Sequence, residues 1–146
     1  MPNAKNFFSD DEKKKIAAAI EEAERNTSGE IRVHIEEHCK GNLLDRAVKI
    51  FAQLKMHETQ LHNGVLFYLA VKDHEFAVIG DKGINTVVPA HFWDNIKEHV
   101  LAQFKEQKFT EGLCQGIEMA GQQLKQHFPY RADDSNELTN EVSFNP

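Results

Sequence analysis

The chain has 146 residues, of which 40% are hydrophobic and 27% are charged, and its formal net charge is -6 at pH 7. A chain of this length and composition is typical of one globular domain with a single hydrophobic core. The negative charge comes without any block of lysines or arginines, which excludes nucleic acid and anionic membrane surfaces as favoured partners.

The first predicted helix begins at a capping box. Ser9 and Glu12 have the spacing at which each side chain accepts a hydrogen bond from a free backbone N–H at the helix start. Apolar residues at helical spacing follow, and the helix should run to about Asn26. A Ser-Gly pair then ends it. Residues 30–36 alternate between polar and apolar, which predicts a strand with one polar face.

A second amphipathic helix follows the candidate cap Asn42. Residues 65–71 are then nearly all apolar, and residues 76–79 repeat this after a polar break, which predicts a buried β-hairpin. A Gly-Asp-Lys-Gly turn at residues 80–83 directly follows the hairpin. Strand, helix and strand in this order make a right-handed crossover, so the first two strands should be parallel and the third antiparallel. The predicted sheet is therefore mixed.

Two further helices, which should cover the sheet, are predicted after the hairpin. The last one begins near the candidate cap Thr110. Small residues recur at every fourth position of this helix, at Gly112, Gly116 and Ala120. They form a ridge that permits close approach to a neighbouring helix. From Arg131 onward the chain is polar and acidic, which predicts a disordered tail.

Location and redox state follow from what the sequence does not contain. Its longest apolar runs are too short to span a bilayer. The first residues lack the apolar core and cleavage site of a secretory signal. We therefore expect a cytoplasmic protein without membrane insertion, in which Cys39 and Cys114 stay reduced.

Five short motifs occur in the order and spacing of the TPM domain family. They are Ser28-Gly29-Glu30-Ile31-Arg32-Val33, Asn63-Gly64-Val65-Leu66, Gly80-Asp81-x-Gly83-Ile84, Phe92-Trp93 and Phe128-Pro129. The chain resembles a stand-alone TPM domain over residues 5–129, followed by the tail at residues 130–146. The resemblance implies a three-layer α/β/α sandwich, with a small mixed β-sheet flanked by helices. It also implies a phosphatase family label, relatives in thylakoid photosystem repair, and relatives with a bound divalent cation.

The predicted topology brings several carboxylates towards one edge of the sheet. Glu30 opens the first strand, Gly64 opens the parallel second strand, and Asp81 closes the antiparallel third. Asp94 and Glu98 lie one turn apart near the start of the following helix, which a short loop places over the same edge. Because Ca²⁺ and Mg²⁺ prefer oxygen ligands, Asp81, Glu30, Asp94 and Glu98 are the candidate metal ligands.

A structural interpretation of the same residues competes with the metal site. In that interpretation Asp81 stabilises its turn, Asp94 complements a helix N-terminus and Glu30 is a solvated edge residue. The opposite edge is the alternative site, because ligands of open α/β sheets usually bind at the carboxyl ends of parallel strands. That edge carries four titratable side chains, Glu37, His38, Asp73 and His74.

Other chemistries fit the sequence poorly. In a cysteine-dependent phosphatase an arginine is required six positions after the cysteine, and Cys39 is followed there by Asp45. An aspartate-nucleophile phosphatase would need an Asp-x-Asp triplet, which does not occur. His34 and His38 match a His-x-x-Glu-His zinc pattern, but that pattern works on a helix and these residues alternate as a strand.

Three functions follow from these observations. The first is a small module that binds Ca²⁺ or Mg²⁺ through carboxylates around Asp81. The second, favoured only by the family label, is a metal-dependent phosphomonoesterase in which the ion activates water and Lys82 or Arg32 steadies the phosphate. The third is a protein-interaction module without metal, in which the acidic tail docks onto a partner.

Overall fold

The computed structural model describes residues 7–129 and 142–145. Within these ranges the chain forms five α-helices, one 3₁₀ helix and four β-strands. In chain order they are α1 (Asp10–Glu24), β1 (Glu30–Glu36), α2 (Leu43–Gln53), the 3₁₀ helix (Met56–Glu58), β2 (Gly64–Ala70), β3 (Glu75–Gly80), α3 (Lys82–Asn85), α4 (Phe92–Lys105), α5 (Phe109–His127) and β4 (Ser143–Asn145).

The strands form one mixed sheet in the order β3-β2-β1-β4. β1 runs parallel to β2, with Glu30 opposite Gly64 and Glu36 opposite Ala70, and β3 returns antiparallel to β2. Helices pack on both faces. The α/β sandwich with a small mixed sheet is therefore confirmed. Of the predicted hairpin, β2 is an inner strand and β3 forms an edge.

The two faces of the sheet pack against different helices. The larger core lies between one face and helices α1, α4 and α5. A smaller core lies on the other face, where Leu66, Tyr68 and Ala77 pack with Ala47 and Ile50 of α2. All seven residues of β2 are buried because this strand is covered on both faces. This double burial explains its uninterrupted apolar sequence.

β1 presents different chemistry to each face. Its apolar residues 31, 33 and 35 belong to the larger core, and the polar residues alternate with them on the opposite face. Glu30, His34 and Glu36 are nonetheless each only 2% exposed. Since a buried charge is costly unless it is paired, this strand concentrates the polar interactions that the fold must satisfy.

Two of the three predicted helix caps are present. Ser9 and Glu12 form the capping box, with N–H to oxygen distances of 3.0 and 3.1 Å. Asn42 accepts a hydrogen bond from a first-turn N–H of α2 at 3.1 Å. The prediction that Thr110 caps the last helix is wrong, because α5 already begins at Phe109. The Thr110 hydroxyl instead donates to Glu12 Oε2 at 2.6 Å and joins the starts of two helices.

The last described residues differ from the predicted disordered tail. Most of the predicted tail, residues 130–141 and residue 146, lies outside the described ranges. Residues 143–145 form β4, which pairs in parallel with β1. Val142 and Phe144 pack against the larger core, and Lys13 Nζ lies 5.0 Å from the centroid of the Phe144 ring. Burial of these two apolar side chains stabilises β4, although most residues of the surrounding segment are polar.

α5 carries the predicted ridge of small residues on its buried face. A Cβ atom added at Gly116 would lie 2.7 Å from Val100 Cγ2 and 3.0 Å from Phe67 Cε2. The absence of a side chain therefore allows α5 to contact both α4 and β2 closely, as the sequence predicted. Nowhere in residues 7–129 and 142–145 is there a helix long and apolar enough to cross a membrane.

The substitution Gly116→Val tests this close approach. We expect it to lower the free energy of unfolding by about 2 kcal/mol, because the added methyl groups overpack the α4–α5 contact. Urea denaturation measures the change. Glu118→Val is the control for adding a β-branched residue, since Glu118 is exposed on the same helix. Helix propensity alone would favour Gly116→Val, because valine is a better helix former than glycine. A loss in Gly116→Val no larger than that in Glu118→Val would contradict the packing account.

Candidate functional site

The amino-terminal ends of β1 and β2 meet the carboxyl-terminal end of β3 at one edge of the sheet. Glu30 lies opposite Gly64 across the parallel pair. On the other side of Gly64, its carbonyl oxygen accepts a hydrogen bond from Asp81 N at 2.9 Å. Because neighbouring strands lie about 4.8 Å apart, the backbones of Glu30 and Asp81 are roughly 10 Å apart across this edge.

One oxygen of Asp81 has a structural role, and the other has no hydrogen bond among the described residues. It is the N-cap of α3, and its Oδ1 accepts a hydrogen bond from Lys82 N at 2.7 Å. Its side chain is 13% exposed, and Oδ2 lies 3.4 Å from Nδ1 of His62. Neither of these two buried atoms has a hydrogen-bond partner among the described residues. The structural interpretation of Asp81 is therefore correct for one oxygen and leaves the other available for a ligand.

The glycines beside Asp81 are required by close packing. A Cβ atom at Gly80 would collide with the indole of Trp93. A Cβ atom at Gly83 would collide with the carbonyl oxygens of Leu61 and His62. The indole N–H of Trp93 also donates to Asn85 Oδ1 at 2.8 Å, which joins α4 to α3. The glycine turn thus holds Asp81 rigidly against the loop that carries His62.

Glu30 is buried rather than solvated, which corrects the structural interpretation of that residue. A second carboxyl group, that of Glu24 at the end of α1, lies near it. Glu24 Oε2 accepts a hydrogen bond from Ile31 N at 2.8 Å. Burial, together with the nearby charge of Glu30, raises the pKa of Glu24 to about 8, although the hydrogen bond from Ile31 N lowers it. Sequence analysis missed Glu24 because a glutamate in the last turn of a charged helix resembles any solvated residue.

The other two predicted ligands lie elsewhere on this side of the molecule. Asp94 and Glu98 are both exposed on α4. Asp94 lines a groove of about 290 Å³ beside Gly80 and Trp93. In the part of the chain that the structure describes, no three His, Cys, Asp or Glu side chains come together as a metal site. The structure therefore does not assemble the predicted set of four carboxylates.

The alternative site at the opposite edge is occupied by internal pairs. His38 Nδ1 lies 2.9 Å from Asp73 Oδ1, and Asp73 Oδ2 accepts a hydrogen bond from Cys39 N at 2.6 Å. Lys72 Nζ lies 3.5 Å from Glu37 Oε2. These contacts connect the loop after β1 to the turn after β2.

The largest polar network in the described structure was not predicted as a site. Glu36 of β1 accepts hydrogen bonds from both Nε and Nη2 of Arg46 in α2, the former at 3.0 Å. The Tyr68 hydroxyl of β2 donates to Glu36 Oε2 at 2.5 Å. The hydrogen bond that Arg46 donates to Glu36 raises the pKa of Arg46, and burial raises the pKa of Tyr68. Arg46 is therefore cationic and Tyr68 is a neutral donor.

His34 extends this network towards β4. Its Nδ1 lies 2.6 Å from Ser143 Oγ, and its Nε2 lies 3.6 Å from Glu36 Oε1. Burial lowers the pKa of His34, so the imidazole is neutral at pH 7. His38 is exposed on the loop, so the two histidines of the zinc pattern do not share a site. The network holds three strands and one helix together.

Comparison with known proteins assigns the fold. A family model described as the TPM domain matches residues 3–123. The chain belongs to the TPM domain family. No curated protein sequence matches it.

Solved structures agree with this assignment. The BA42 protein of the psychrophilic bacterium Bizionia argentinensis, solved by NMR, is 48% identical with a TM-score of 0.88, over 95% of this chain and 96% of that one. The N-terminal domain of the cg2496 protein of Corynebacterium glutamicum is 13% identical, with a TM-score of 0.65 over 81% and 74%. The N-terminal domain of a P. gingivalis protein is 16% identical, with a TM-score of 0.69 over 85% and 82%.

The cysteines of this TPM domain have no feature of an activated nucleophile. Both are free. Burial raises the pKa of Cys39 and the pKa of Cys114 above the usual value for a thiol. A catalytic cysteine requires the opposite shift, since the thiolate is the nucleophile. In this structure neither thiol environment favours the thiolate.

The raised pKa of Glu24 predicts a pH dependence of stability. Between its ordinary value of 4.5 and its folded value of about 8, the folded state binds more protons than the unfolded state. The free energy of unfolding should therefore fall as the pH rises through this window. In Glu24→Gln the amide keeps an oxygen acceptor for Ile31 N, and this fall should shrink by at least about 1 kcal/mol.

Urea denaturation at a series of pH values measures this effect. Glu21→Gln is the control, since Glu21 is exposed in the same helix and has no ion pair in the described ranges. Parallel pH profiles for Glu24→Gln and the parent protein would contradict the assignment of the raised pKa to Glu24.

The Glu36 network predicts an asymmetry between buried and exposed ion pairs. Arg46→Met leaves the Glu36 carboxylate buried without its cation and should cost about 3 kcal/mol of folding stability. Arg25→Met should cost less than about 0.5 kcal/mol, because Arg25 and Glu22 form an exposed pair at 3.4 Å. Adding Glu36→Leu to Arg46→Met should recover part of the loss. Equal effects of Arg46→Met and Arg25→Met in thermal unfolding would refute this account.

Proposed function

We propose that this TPM domain binds a divalent cation, Ca²⁺ or Mg²⁺, at the sheet edge where Asp81 follows β3. The observation that carries the proposal is the buried Oδ2 of Asp81, which has no hydrogen-bond partner among the described residues and lies 3.4 Å from His62 Nδ1. A carboxylate oxygen held away from water without a donor is unfavourable, and a cation would compensate it. The other oxygen, Oδ1, already fixes the side chain by capping α3.

Oxygen chemistry at this edge favours a hard cation. Glu30 lies across Gly64 from Asp81 and supplies a second buried carboxylate. The carbonyl oxygens of Leu61 and His62 face Gly83 beside the capped turn, although His62 O already accepts from Gly83 N. Ca²⁺ accepts carboxylate and backbone carbonyl ligands, whereas Mg²⁺ is often held by one or two carboxylates and several waters. A site with few protein carboxylates is expected to bind weakly, since ligand charge tunes affinity.

Asp94 and Glu98 are proposed as additional, weaker ligands of the same cation. Both side chains are exposed, and α4 contacts the turn through Trp93 rather than through its acidic residues. Water-mediated coordination is the route by which exposed carboxylates would contribute. Their effect on cation affinity should therefore be smaller than that of Asp81.

No observation on the described residues favours the phosphomonoesterase over simple cation binding. Lys82 is exposed in the first turn of α3, and Arg32 lies on the polar face of β1. Hydrolysis of p-nitrophenyl phosphate in Mg²⁺, with and without EDTA, tests this second function directly. The docking role predicted for the acidic tail falls largely on residues outside the described ranges.

Substitution of Asp81 tests the cation site. The isotopically labelled full chain is titrated with Ca²⁺ and then Mg²⁺ while backbone amide shifts are followed. We expect saturable shifts at residues 80–83, His62 and Glu30. Asp81→Asn should weaken cation binding by at least about ten-fold, because it removes a charged ligand. The fold should persist, since asparagine caps helices as well as aspartate does.

Two further variants define the site. Asp11→Asn is the matched control, since Asp11 is exposed in the first turn of α1 and the chemical change is the same. Asp94→Asn reports whether α4 contributes. Shifts scattered over the acidic surface, with equal affinities for the parent, Asp11→Asn and Asp81→Asn proteins, would reject cation binding at this edge.

A further inference from the structure

A second cleft lies at the opposite end of β2, on the side of the larger core. Its volume is about 460 Å³. It is bounded by the end of β2, the turn before β3, the last turn of α4 and the first turn of α5. This is the carboxyl end of a parallel strand, where open α/β sheets usually bind ligands. None of the interactions described above uses this cleft.

The walls of the cleft are apolar and largely aromatic. Phe7, Phe104 and Phe109 line it together with Leu101. The ring centroids of Phe7 and Phe109 are 5.0 Å apart, and those of Phe104 and Phe109 are 5.2 Å apart. Pockets of roughly 300–1,000 Å³ with such linings and a few polar groups are typical of small-molecule sites.

The polar lining of the cleft includes two basic side chains. Lys105 and His74 line it, and neither forms an ion pair within residues 7–129 and 142–145. The acidic neighbours in sequence, Asp73, Glu75 and Glu106, are not among the residues that line the cleft. Lys105 therefore places a cation in the lining of this cleft, on a protein whose net charge is -6.

Two turns hold the rim of the cleft in place. Gln107 ends α4 with a φ of 61°, and the N–H groups of Gln107 and Lys108 donate to Phe104 O and Gln103 O, both at 2.9 Å. This is a Schellman motif, which fixes the last turn of the helix. His74 adopts a φ of 55° in the turn between β2 and β3. The cleft is thus formed before any ligand enters, which reduces the ordering cost of binding.

We propose that this cleft binds a small amphiphilic carboxylate, whose apolar body packs among the phenylalanines and whose carboxylate pairs with Lys105. The lining favours this class, since an anionic group on an otherwise apolar ligand would gain a charge-assisted contact with Lys105 while its body packs against the apolar walls. The negative net charge opposes an anion only at long range, because charges further than about 8 Å are screened at physiological salt.

Paired titrations with octanoate and octanol test the ligand class on the labelled full chain. Octanoate should produce saturable amide shifts at residues 69–71, 101–107 and 109. Octanol, which has the same alkyl chain without the charge, should bind at least about five-fold more weakly. This ratio corresponds to the loss of one modest charge-assisted contact. Octanoate shifts without saturation, or saturable shifts away from these residues, would overturn the proposal.

Three variants separate the charge from the apolar body. Lys105→Gln should weaken octanoate binding about five-fold and leave octanol binding unchanged. Lys97→Gln is the matched control on the same helix, since Lys97 lies outside this cleft, and it should change neither. Leu101→Trp should fill the cleft and abolish binding of both ligands. If octanol binds as tightly as octanoate, or if Lys105→Gln and Lys97→Gln behave alike, the carboxylate assignment is wrong.

Discussion

The buried carboxylate of Glu36 is the interaction on which the rest of this TPM domain depends. It receives donors from Arg46 in α2 and from Tyr68 in β2, and it lies near His34, whose other nitrogen contacts Ser143 in β4. A buried charge tolerates few alternative arrangements, because each shift of register would leave it unpaired. We infer that the network fixes the position of α2 and the order of the inner strands, while apolar packing supplies most of the free energy.

The Glu36 network makes one face of β1 polar and leaves the ends of the strands outside the network. The polar face of β1 is committed to the Glu36 network, so it is not free to form a conventional apolar pocket. The two sites that we propose lie instead at the ends of the strands. At one end Asp81 caps α3 directly after β3, and its Oδ2 has no hydrogen-bond partner among the described residues. At the other end phenylalanines of α4 and α5 line an apolar cleft beside the end of β2.

Patterns among neighbouring residues in the sequence predicted much of the fold, but they predicted little of the surroundings of Asp81. The capping box at Ser9 and the apolar run of β2 depend on neighbouring residues alone, so the sequence reveals them. β4 was not predicted, because two apolar side chains in a polar segment do not indicate a strand by themselves. Their role becomes visible only when they pack against the larger core. Glu24 and Arg46 were not predicted for the same reason. Burial in the folded chain raises the pKa of Glu24, and the folded chain places Arg46 beside Glu36; neither follows from residue type. Asp94 and Glu98 had suitable spacing, yet their helix presents them to solvent.

The two proposed sites should act independently, and the geometry of β2 gives the reason. Its seven residues place the Asp81 edge and the Phe104 cleft about 20 Å apart, at roughly 3.3 Å per residue. That separation exceeds the screening length for exposed charges, so a cation at one end exerts little direct force on a carboxylate at the other. Coupling would require β2 to adopt a second arrangement, but all of its residues are buried between two cores. A second arrangement of a close-packed inner strand is costly, because any shift disturbs both cores at once. Binding at the two ends should therefore be additive in free energy.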